Sequence, residues 1–594
     1  MRTAGIFQST GRWFPALFLA ALATLAFTVY GSQLSAPLDS DARFLTVQNA
    51  FVLSPGGIGK IWTADFFEGA TTHGVPYRSG YYRPVVNALF WAEFRVAGDS
   101  EVFYHIIQVL LHVLNAFLVF GLIGRIFHDR RAGVLAALLF ALHPVHAFAA
   151  SQPAARADVL FPTFYLLAIV FFDAAITGRP GPDVRWKVAL TAVFYCLAVL
   201  SKEMGITLPA VLVLVVLLRR YRDGDSLRPL VWTVPIWTLM GVYVFWRFVI
   251  LDIPPPVVGY SDAYPDHVLF LGGLRSLAIH ASRVMLPLGP TYPELNPTLA
   301  NFLSSPFREP LTYISIATAG ALALAALTWK RHPAVAFWSG FLLVTFSPLM
   351  RINNIAGSLG NNVILTEERW FYLPSIAIIA PAGLALAALL RQASDRRTTL
   401  ALMGFVAILL VGLGYSASVH AESRTDPFAR LRQLYLFPED RLSRLERANK
   451  LMLYAQWVAL PMGELEEAET RARAAVAIVP DSPISAVALG HVLSERQKWN
   501  EVIDVVEPWM NPESNEMRRF GATNPRVGDD LNRVSSRIPF LLARAYAHTE
   551  QDARAPALFC ESAQRGFDIG TIRATWQEIF PGRDLTCQLP GVGR

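Results

Sequence analysis

The sequence predicts an all-α, polytopic membrane protein of about eleven transmembrane helices, followed by a C-terminal helical repeat domain. The first observation is composition: 53% of the 594 residues are hydrophobic and 16% are charged, whereas soluble domains average about 25% charged residues. The second is a series of apolar runs that approach the roughly 20 residues a helix needs to cross a bilayer. These observations exclude a disordered chain and argue against an ordinary soluble enzyme.

Twelve apolar runs are candidate spans. In chain order they are Trp13–Tyr30, Phe103–Ile123, Ala132–Ala149, Val159–Ile176, Val188–Leu200, Ile206–Leu218, Leu230–Leu251, Val268–Leu286, Leu311–Trp329, Val335–Leu349, Leu373–Leu390 and Leu400–Ser416. The first run follows Arg2 and Arg12 without a convincing small-residue cleavage site. We therefore interpret it as a retained transmembrane helix rather than a removed signal peptide.

Basic residues predict the orientation. The net charge of +6 comes mainly from short loops between apolar runs, which is typical of a membrane protein and does not indicate a nucleic-acid partner. Five such loops are placed in the cytoplasm with the N-terminus: Arg125–Arg131, Arg179–Lys187, Arg219–Arg228, Lys330–Arg331 and Arg391–Arg397. Parity then requires one candidate not to cross. Val268–Leu286 carries Arg275, His280 and Arg283, which are costly in lipid, so we expect a re-entrant or interfacial helix and eleven crossings.

This topology places the longer loops on one face, outside the cytoplasm, where we expect the chemistry. The loops are Gly31–Val102, Ser151–Ala157, Ser201–Gly205, Asp252–Pro310 and Arg351–Tyr372. The membrane domain is assigned to residues 1–419 and a domain on the same side to residues 420–594. Small residues in the latter fit the 34-residue tetratricopeptide pattern, at Gly463, Ala468, Ala475, Pro480 and Leu489–Gly490, with a third helical pair at Ala543–Gly566. A non-repeat helical cap is the alternative.

Candidate chemistry begins in the first outer loop. Asp39 and Asp41 follow the first helix, where a carboxylate can act as general base or bind a divalent cation; a solvated turn is the alternative. Tyr82, Arg83 and Pro84 place an arginine beside aromatic residues at the bilayer surface. That arginine can pair with a phosphate or serve as an interfacial anchor.

Further polar groups bracket short turns between apolar runs. They are His143 and His146, Arg156 and Asp158, Lys202 and Glu203, and Glu367, Glu368, Arg369 and Tyr372. Polar groups at membrane depth are expensive and are usually retained for function or pairing. A local Arg156–Asp158 salt bridge is one alternative, and pairing of Arg369 with Glu367 or Glu368 is another. Together, these groups have the layout needed to bind a phosphate-bearing lipid.

The order of these motifs resembles one family. Tyr-Arg-Pro at residue 82, His-Pro-Val-His at residue 143, Arg-Ala-Asp at residue 156, Ser-Lys-Glu-Met-Gly-Ile-Thr at residue 201 and Glu-Arg-Trp-Phe-Tyr-Leu-Pro-Ser at residue 368 resemble the transmembrane and tetratricopeptide-repeat-containing O-mannosyltransferases. The resemblance implies a C-type glycosyltransferase fold, a polyprenyl-phosphate sugar donor and transfer on the non-cytoplasmic face. In eukaryotic relatives of this family the sugar is mannose and the acceptor is a protein Ser or Thr. The short loops look bacterial, so we expect an inner-membrane protein facing the periplasm.

Two positions depart from the family pattern. Paired aspartates precede an asparagine by eight and seven residues in the family, whereas counting back from Asn49 gives Asp41 and Ala42. The family also has a glutamate where this chain has Phe148. The second departure leaves metal dependence, or the acceptor, open.

The predicted mechanism assigns a role to each candidate. Arg83, Lys202 and Arg369 hold the donor phosphate, while Asp41, with Asp39 nearby, activates the acceptor hydroxyl for an inverting displacement. The residues predicted to shape the site are Tyr82, His143, His146, Arg156, Asp158, Glu203, Glu368 and Tyr372. A divalent cation such as Mg or Mn would use Asp41, His146 and Asp158. The repeats would hold an acceptor protein or glycan.

Two other function classes stay open. A non-enzymatic membrane scaffold would recruit envelope proteins through the repeats, but a plain anchor has no use for the polar outer turns. A transporter needs charges deeper in the helices than this sequence places them. Separately, an oxidising compartment permits a disulfide between Cys560 and Cys587, whereas Cys196 lies in a predicted membrane helix.

Overall fold

A computed structural model gives the structure of the chain. It describes residues 13–38, 40–69, 71–72, 75–76, 79–177, 182–253, 258–259, 265–287, 306–308, 310–350, 354–358, 361–364, 367–425, 444–460, 463–511, 528–549, 551–565, 567, 569–583, 585 and 587. Helices dominate these residues, and the predicted all-α class is confirmed. Asp39 lies outside the described residues, so its predicted role stays a prediction.

The membrane part contains seventeen helices and five short strands among the described residues. In chain order they are α1 (Phe14–Tyr30), α2 (Ser40–Leu45), α3 (Ala50–Leu53), α4 (Gly57–Ile61), β1 (Thr71–Thr72), β2 (Val75–Pro76), α5 (Pro84–Ala97), α6 (Glu101–Ile126), α7 (Arg130–Leu142), α8 (Ala147–Ser151), α9 (Arg156–Ile176), α10 (Pro182–Ser201), α11 (Leu208–Asp223), α12 (Val234–Phe245), β3 (Val258–Gly259), α13 (Asp266–Met285), α14 (Pro310–Ala326), α15 (Pro333–Phe346), β4 (Asn354–Ser358), β5 (Asn361–Ile364), α16 (Ile376–Gln392) and α17 (Arg396–Thr425). Strands β1 and β2 pair antiparallel, and β4 lies between the parallel β3 and the antiparallel β5.

The apolar helices correspond to the twelve predicted runs. Within the described residues, eight helices are long and apolar enough to cross a membrane, or nine if the bent pair Arg130–Leu142 and Pro144–Ser151 forms one span. Three shorter apolar helices occupy the remaining runs: Pro310–Ala326, Pro333–Leu349 and Ile376–Gln392. The chain is therefore a multi-pass membrane protein, whereas the count of eleven crossings stays a prediction.

Small residues let the central helices pack closely. A Cβ atom at Gly133 in α7 would lie 2.6 Å from the carbonyl oxygen of Phe120 in α6, and one at Gly383 in α16 would lie 2.7 Å from the backbone nitrogen of Ala136 in α7. Membrane helices associate through such close contacts because lipid supplies no hydrophobic driving force between them. Helix α7 therefore packs directly against both α6 and α16, and buried residues of all three helices belong to one hydrophobic core.

Helix α13 lies along the face that carries the outer turns. A Cβ at Gly273, in the middle of α13, would overlap the carbonyl oxygen of Met350. Near its C-terminal end, the Val284 carbonyl lies 3.0 Å from His143 Nε2 and Arg283 lies 3.0 Å from Glu368. The length and composition of this helix allow it to cross a membrane, so its interfacial placement stays a prediction.

The C-terminal part is a separate helical core. Its helices are α18 (Arg444–Tyr454), α19 (Leu465–Ile478), α20 (Pro483–Glu495), α21 (Trp499–Val506), α22 (Gly528–Ala547), α23 (Ala555–Gln564) and α24 (Ile569–Ile579). Ala468, Ala472 and Ala475 are fully buried between packed helices. Ser482 caps α20 by accepting a hydrogen bond from the Ser485 amide at 3.3 Å. The helical pairs lie where predicted, while their tetratricopeptide character stays a prediction.

Two further expectations concern this part of the chain. Helix α17 continues through the predicted boundary at residues 419 and 420 as far as Thr425, so the boundary falls inside a helix. The disulfide that an oxidising compartment would permit is present: Cys560 and Cys587 are bonded, with their Cα atoms 5.3 Å apart. Cys196 is a free thiol in α10.

Candidate active site

Short turns between membrane helices bring the predicted charged residues together. Three of these turns are 3₁₀-helical: Pro153–Ala155, Glu203–Thr207 and Glu368–Phe371. Such short segments connect helices without requiring a long loop. Side chains that are far apart in sequence therefore meet on one face, as expected from the shared-face topology.

Arg83 forms a fork-like ion pair with Glu203, which lies 120 residues later in the chain. Its Nε lies 3.2 Å from both carboxylate oxygens and its Nη2 lies 3.0 Å from Oε2. The guanidinium also covers Tyr81 and Phe66, at 4.3 and 5.1 Å from the ring centroids. The two side chains remain 13% and 22% exposed, so the pair is held firmly but is open to a ligand.

Lys202 and Arg369 meet at Asp158. Lys202 Nζ donates to Asp158 Oδ1, while Arg369 Nε lies 4.0 Å from Asp158 Oδ2 and pairs with Glu367. Burial lowers the pKa of Lys202, and the charges of Arg83 and Arg369 lower it further. All three predicted phosphate ligands therefore lie within electrostatic reach of one another. We call Arg83, Asp158, Lys202, Glu203, Glu367 and Arg369 the turn cluster.

Asp41 lies on short helix α2 at the edge of the turn cluster. The buried face of α2, Ala42 and Leu45, belongs to the same small core as Ala157 and Leu160 of α9. The Asp41 side chain is on the exposed face. Burial lowers the pKa of Arg369, whereas the negative charges of Glu367, Asp158 and Asp41 raise it, with a net rise. A carboxylate in this position can accept a proton from an incoming hydroxyl.

A neutral hydrogen-bond network adjoins the turn cluster through Tyr372. His112 Nε2 lies 3.0 Å from the Ala141 carbonyl, to which it must donate, so its Nδ1 accepts from the Tyr372 hydroxyl at 2.7 Å. The same hydroxyl accepts from Asn115 at 3.2 Å. Tyr372 directly follows the turn that carries Arg369. This buried network therefore fixes one end of that turn.

Three other predicted residues have defined but different partners. The Tyr82 hydroxyl donates to the Trp62 carbonyl at 2.8 Å, and Glu368 pairs with Arg283. His143 accepts a hydrogen bond from the Val145 amide at 3.2 Å, in addition to its contact with Val284. These residues support the surrounding backbone.

The partners of Arg156 differ from the local salt bridge with Asp158 that the sequence left open. Arg156 is fully buried and donates to Glu93 at 3.0 Å and to the Tyr104 carbonyl at 2.9 Å. The local Arg156–Asp158 salt bridge is wrong because residues two apart on a helix do not face each other, and Asp158 instead pairs with Lys202. The alternative for Arg369 is confirmed in part, since it pairs with Glu367.

The predicted metal ligands do not form a site. The described residues contain no group of three or more His, Cys, Asp and Glu side chains that could hold a metal ion. His146 has one ring nitrogen 2.8 Å from the Phe140 carbonyl and the other 2.8 Å from Ser375 Oγ, while Asp158 is engaged by Lys202. Asp41, His146 and Asp158 therefore do not fit a shared cation, and metal dependence stays a prediction.

Several relevant residues were missed in the sequence. His105, Gln108, His112 and Asn115 lie inside one apolar run, and all four are buried. Their spacing of three, four and three residues places them on one face of α6. This polar face on an otherwise apolar helix is the feature of the sequence that could have predicted the buried network. Glu93 and Arg247 carried no comparable pattern.

Comparisons with known proteins place this geometry in context. The family model described as "Dolichyl-phosphate-mannose-protein mannosyltransferase" matches residues 79–246. The chain resembles the protein O-mannosyltransferases. Protein O-mannosyl-transferase TMTC3 of Mus musculus is 33% identical over 21% of this chain and 14% of its own length. Tmtc1 of Drosophila melanogaster is 31% identical over 32% of this chain and 21% of its own. The resemblance predicted from the sequence motifs is confirmed.

The matches cover only part of each protein. The chain spans 14 to 21% of the length of these two relatives. The matched residues 79–246 include Arg83, Asp158, Lys202 and Glu203, whereas Asp41, Arg369 and the C-terminal helices lie outside them. Among solved structures, the oligosaccharyltransferase of Archaeoglobus fulgidus has 14% identity and a TM-score of 0.42, covering 70% of this chain and 56% of its own. ArnT of Cupriavidus metallidurans, bound to undecaprenyl phosphate, has 15% identity and a TM-score of 0.37, covering 89% and 88%.

Proposed function

We propose that this protein is a membrane glycosyltransferase that moves a sugar, mannose by analogy with its relatives, from a polyprenyl-phosphate donor to a protein Ser or Thr hydroxyl. The observation that carries this proposal is the turn cluster, in which three cations from distant parts of the chain converge beside Asp41. The description of the matching family, which names dolichyl-phosphate-mannose and a protein acceptor, supports the choice of substrates.

The ion pairs divide the work of binding phosphate. Lys202 and Asp158 are 6% and 4% exposed, whereas Arg83, Glu203, Arg369 and Glu367 are 13 to 22% exposed. Arg83 and Arg369 are therefore better placed to exchange a carboxylate for the donor phosphate. Lys202 contributes positive charge while remaining on Asp158. This differs from the sequence-based prediction that all three residues grip the phosphate.

The reaction follows from this placement. The acceptor oxygen attacks the anomeric carbon while the bond from that carbon to the phosphate oxygen breaks. The acceptor proton passes to Asp41, and the polyprenyl phosphate leaves with the negative charge. Arg83, Lys202 and Arg369 stabilise that developing charge, as preorganised cations do in other transferases. One displacement inverts the configuration at the anomeric carbon.

The basic loops support a periplasmic site in a bacterial inner membrane. Arg391 pairs with Asp129, and Arg222 donates to the Ile126 carbonyl, so three of the basic loops lie together at the end opposite the turn cluster. Basic loops remain in the cytoplasm. Reporter fusions at Arg222 and Pro438 should therefore report opposite sides of the membrane. In this arrangement the C-terminal helices lie on the side of the site, where they would hold an acceptor protein or glycan.

The proposal is tested by transfer from synthetic polyprenyl-phosphate-mannose to a Ser/Thr peptide by the purified full chain. Asp41→Asn should abolish transfer because it removes the proton acceptor, yet it should leave donor binding intact. Asp225→Asn, at the opposite end of the bundle, is the matched control and should transfer normally. Normal transfer by Asp41→Asn would remove the base from this scheme. A wild-type protein that neither hydrolyses nor transfers the sugar would favour the alternative function, a scaffold that recruits envelope proteins.

A further inference from the structure

An unusual helical turn lies beside the turn cluster. Helix α12 runs into a π-helical turn, Trp246–Ile250, and such turns are rare and often occur at functional sites. Arg247 on this turn is only 3% exposed. Burying a charged side chain at membrane depth costs free energy, and such residues are usually functional. The partners of Arg247 are therefore informative about its role.

Arg247 holds the segment that precedes Arg83. Its Nη2 donates to the Gly80 carbonyl at 2.7 Å, and the neighbouring Trp246 donates to the Tyr82 hydroxyl at 3.4 Å. Gly80 has φ +75°, in the left-handed region that favours glycine. On the other side, Asp65 accepts from the Gly80 amide at 2.6 Å. The backbone entering Arg83 is thus held from two directions.

Arg247 also acts on the counter-ion of Arg83. The Glu203 carboxylate is stabilised in its charged form by the positive charge of Arg83 and also by that of Arg247. The Arg247 Nε–H is buried and has no hydrogen-bond acceptor among the described residues. If the donor phosphate takes the place of Glu203 on Arg83, a carboxylate that is only 22% exposed loses its partner, and such a loss is costly. Arg247 has a spare donor and the charge to compensate it.

We propose that Arg247 is a positioning residue for donor binding: it holds the Gly80 carbonyl and provides the alternative counter-charge that lets Glu203 release Arg83 to the phosphate. This inference rests on the proposed function. It differs from a purely structural role because it couples Arg247 to Glu203. Removing the Glu203 charge should remove the need for Arg247.

The test is a double-mutant cycle on the full chain in nanodiscs, with undecaprenyl phosphate as the binding probe. Arg247→Gln should weaken binding about tenfold or more, the effect expected when a charged hydrogen-bond partner is lost. Glu203→Gln should bind at least as tightly as wild type. The double variant should recover most of the loss, with Arg220→Gln, at the opposite end of α11, as a control that binds normally.

The outcomes separate the inference from the proposed function. Recovery in the double variant supports the counter-charge role, because a role confined to holding Gly80 would not be rescued by Glu203→Gln. Equal binding by Arg247→Gln and wild type, or no recovery in the double variant, overturns the inference alone. Failure of the wild type to bind the probe or to transfer sugar overturns the proposed function and this inference with it. Thermal unfolding of each variant confirms that binding is compared between folded proteins.

Discussion

Two ion-pair clusters lie at opposite ends of the membrane bundle and are built differently. In the turn cluster, each cation has its own main carboxylate partner on or beside a short turn. In the second, which we call the helix cluster, Arg125, Asp173, Arg219 and Asp223 all lie within regular helices. Asp173 is fully buried and accepts from Arg125 at 2.6 Å and from Arg219 at 2.7 Å.

The difference indicates that the role of an ion pair depends on whether its residues lie on short turns or within regular helices. Asp173 joins α6, α9 and α11 through one carboxylate, so separating its pairs would disturb three helices. The pairs of the turn cluster can exchange partners through side-chain movement. We therefore expect changes in the helix cluster to affect stability and changes in the turn cluster to affect transfer.

The largest expected effect is on stability, from Asp173→Ala. The substitution leaves Arg219 buried without its main partner, and loss of one member of a buried pair costs about 3–5 kcal/mol. Unfolding in detergent, followed by temperature or denaturant, should show this loss. Transfer per folded molecule should remain near that of wild type. A large fall in specific activity with unchanged stability would contradict the distinction between the clusters.

Arg369→Lys should have the converse effect. Lysine keeps the charge but loses the planar fork that can hold a phosphate through two hydrogen bonds, so transfer should fall about 100-fold while the unfolding midpoint changes little. Arg391→Lys is the matched control, because Arg391 pairs with Asp129 at the opposite end. Equal activity of Arg369→Lys and wild type, at saturating and subsaturating donor alike, would leave Arg83 as the principal phosphate ligand.

The sequence predicted which charged residues lie at the candidate site better than it predicted which of them form ion pairs with one another. Arg83, Asp158, Lys202, Glu203 and Arg369 were recognisable because they interrupt or flank apolar runs. Their partners were not, since Arg83 and Glu203 are 120 residues apart and only the fold brings them together. The local pair between Arg156 and Asp158 was considered because it is near in sequence, which is a poor guide when buried charges seek partners on other helices.

The residues of the neutral network are harder to recognise because they lie inside an apolar run rather than at its ends. His112 and Asn115 are among the few polar residues of that run. The length of the run predicts a helix, and only the spacing of its polar residues indicates that they share a face. The helices themselves were predictable because a bilayer requires long apolar segments. Apolar length alone does not decide which of those segments crosses, because α13 is long and apolar enough to span and yet carries Arg283, which pairs with Glu368.

A smaller effect is expected from Tyr372→Phe, which tests whether the neutral network supports the turn cluster. The change leaves His112 Nδ1 and Asn115 without the shared hydroxyl, at a cost of about 1–3 kcal/mol. Because Tyr372 fixes the end of the Arg369 turn, donor KM should rise as well. Tyr415→Phe, at an exposed position on α17, is the control. Lost stability with unchanged donor KM would restrict the network to a structural role.

The smallest effect separates the clusters by pH, because the turn cluster contains a lysine whereas the cations of the helix cluster are arginines. Burial, with the charges of Arg83 and Arg369, lowers the pKa of Lys202 below its usual value, so transfer should decline on the alkaline side as Lys202 loses its proton. Stability should change in the other direction over that interval: the unfolded state binds the proton more tightly there, so the contribution of Lys202 to stability rises with pH. The helix cluster keeps its charge, since arginine does not deprotonate in proteins. Lys202→Arg should therefore remove the alkaline decline attributable to this residue, measured as the pH profile of kcat/KM for the donor. An unchanged profile in the lysine-to-arginine variant would assign the decline to another group and leave Lys202 as a fixed partner of Asp158.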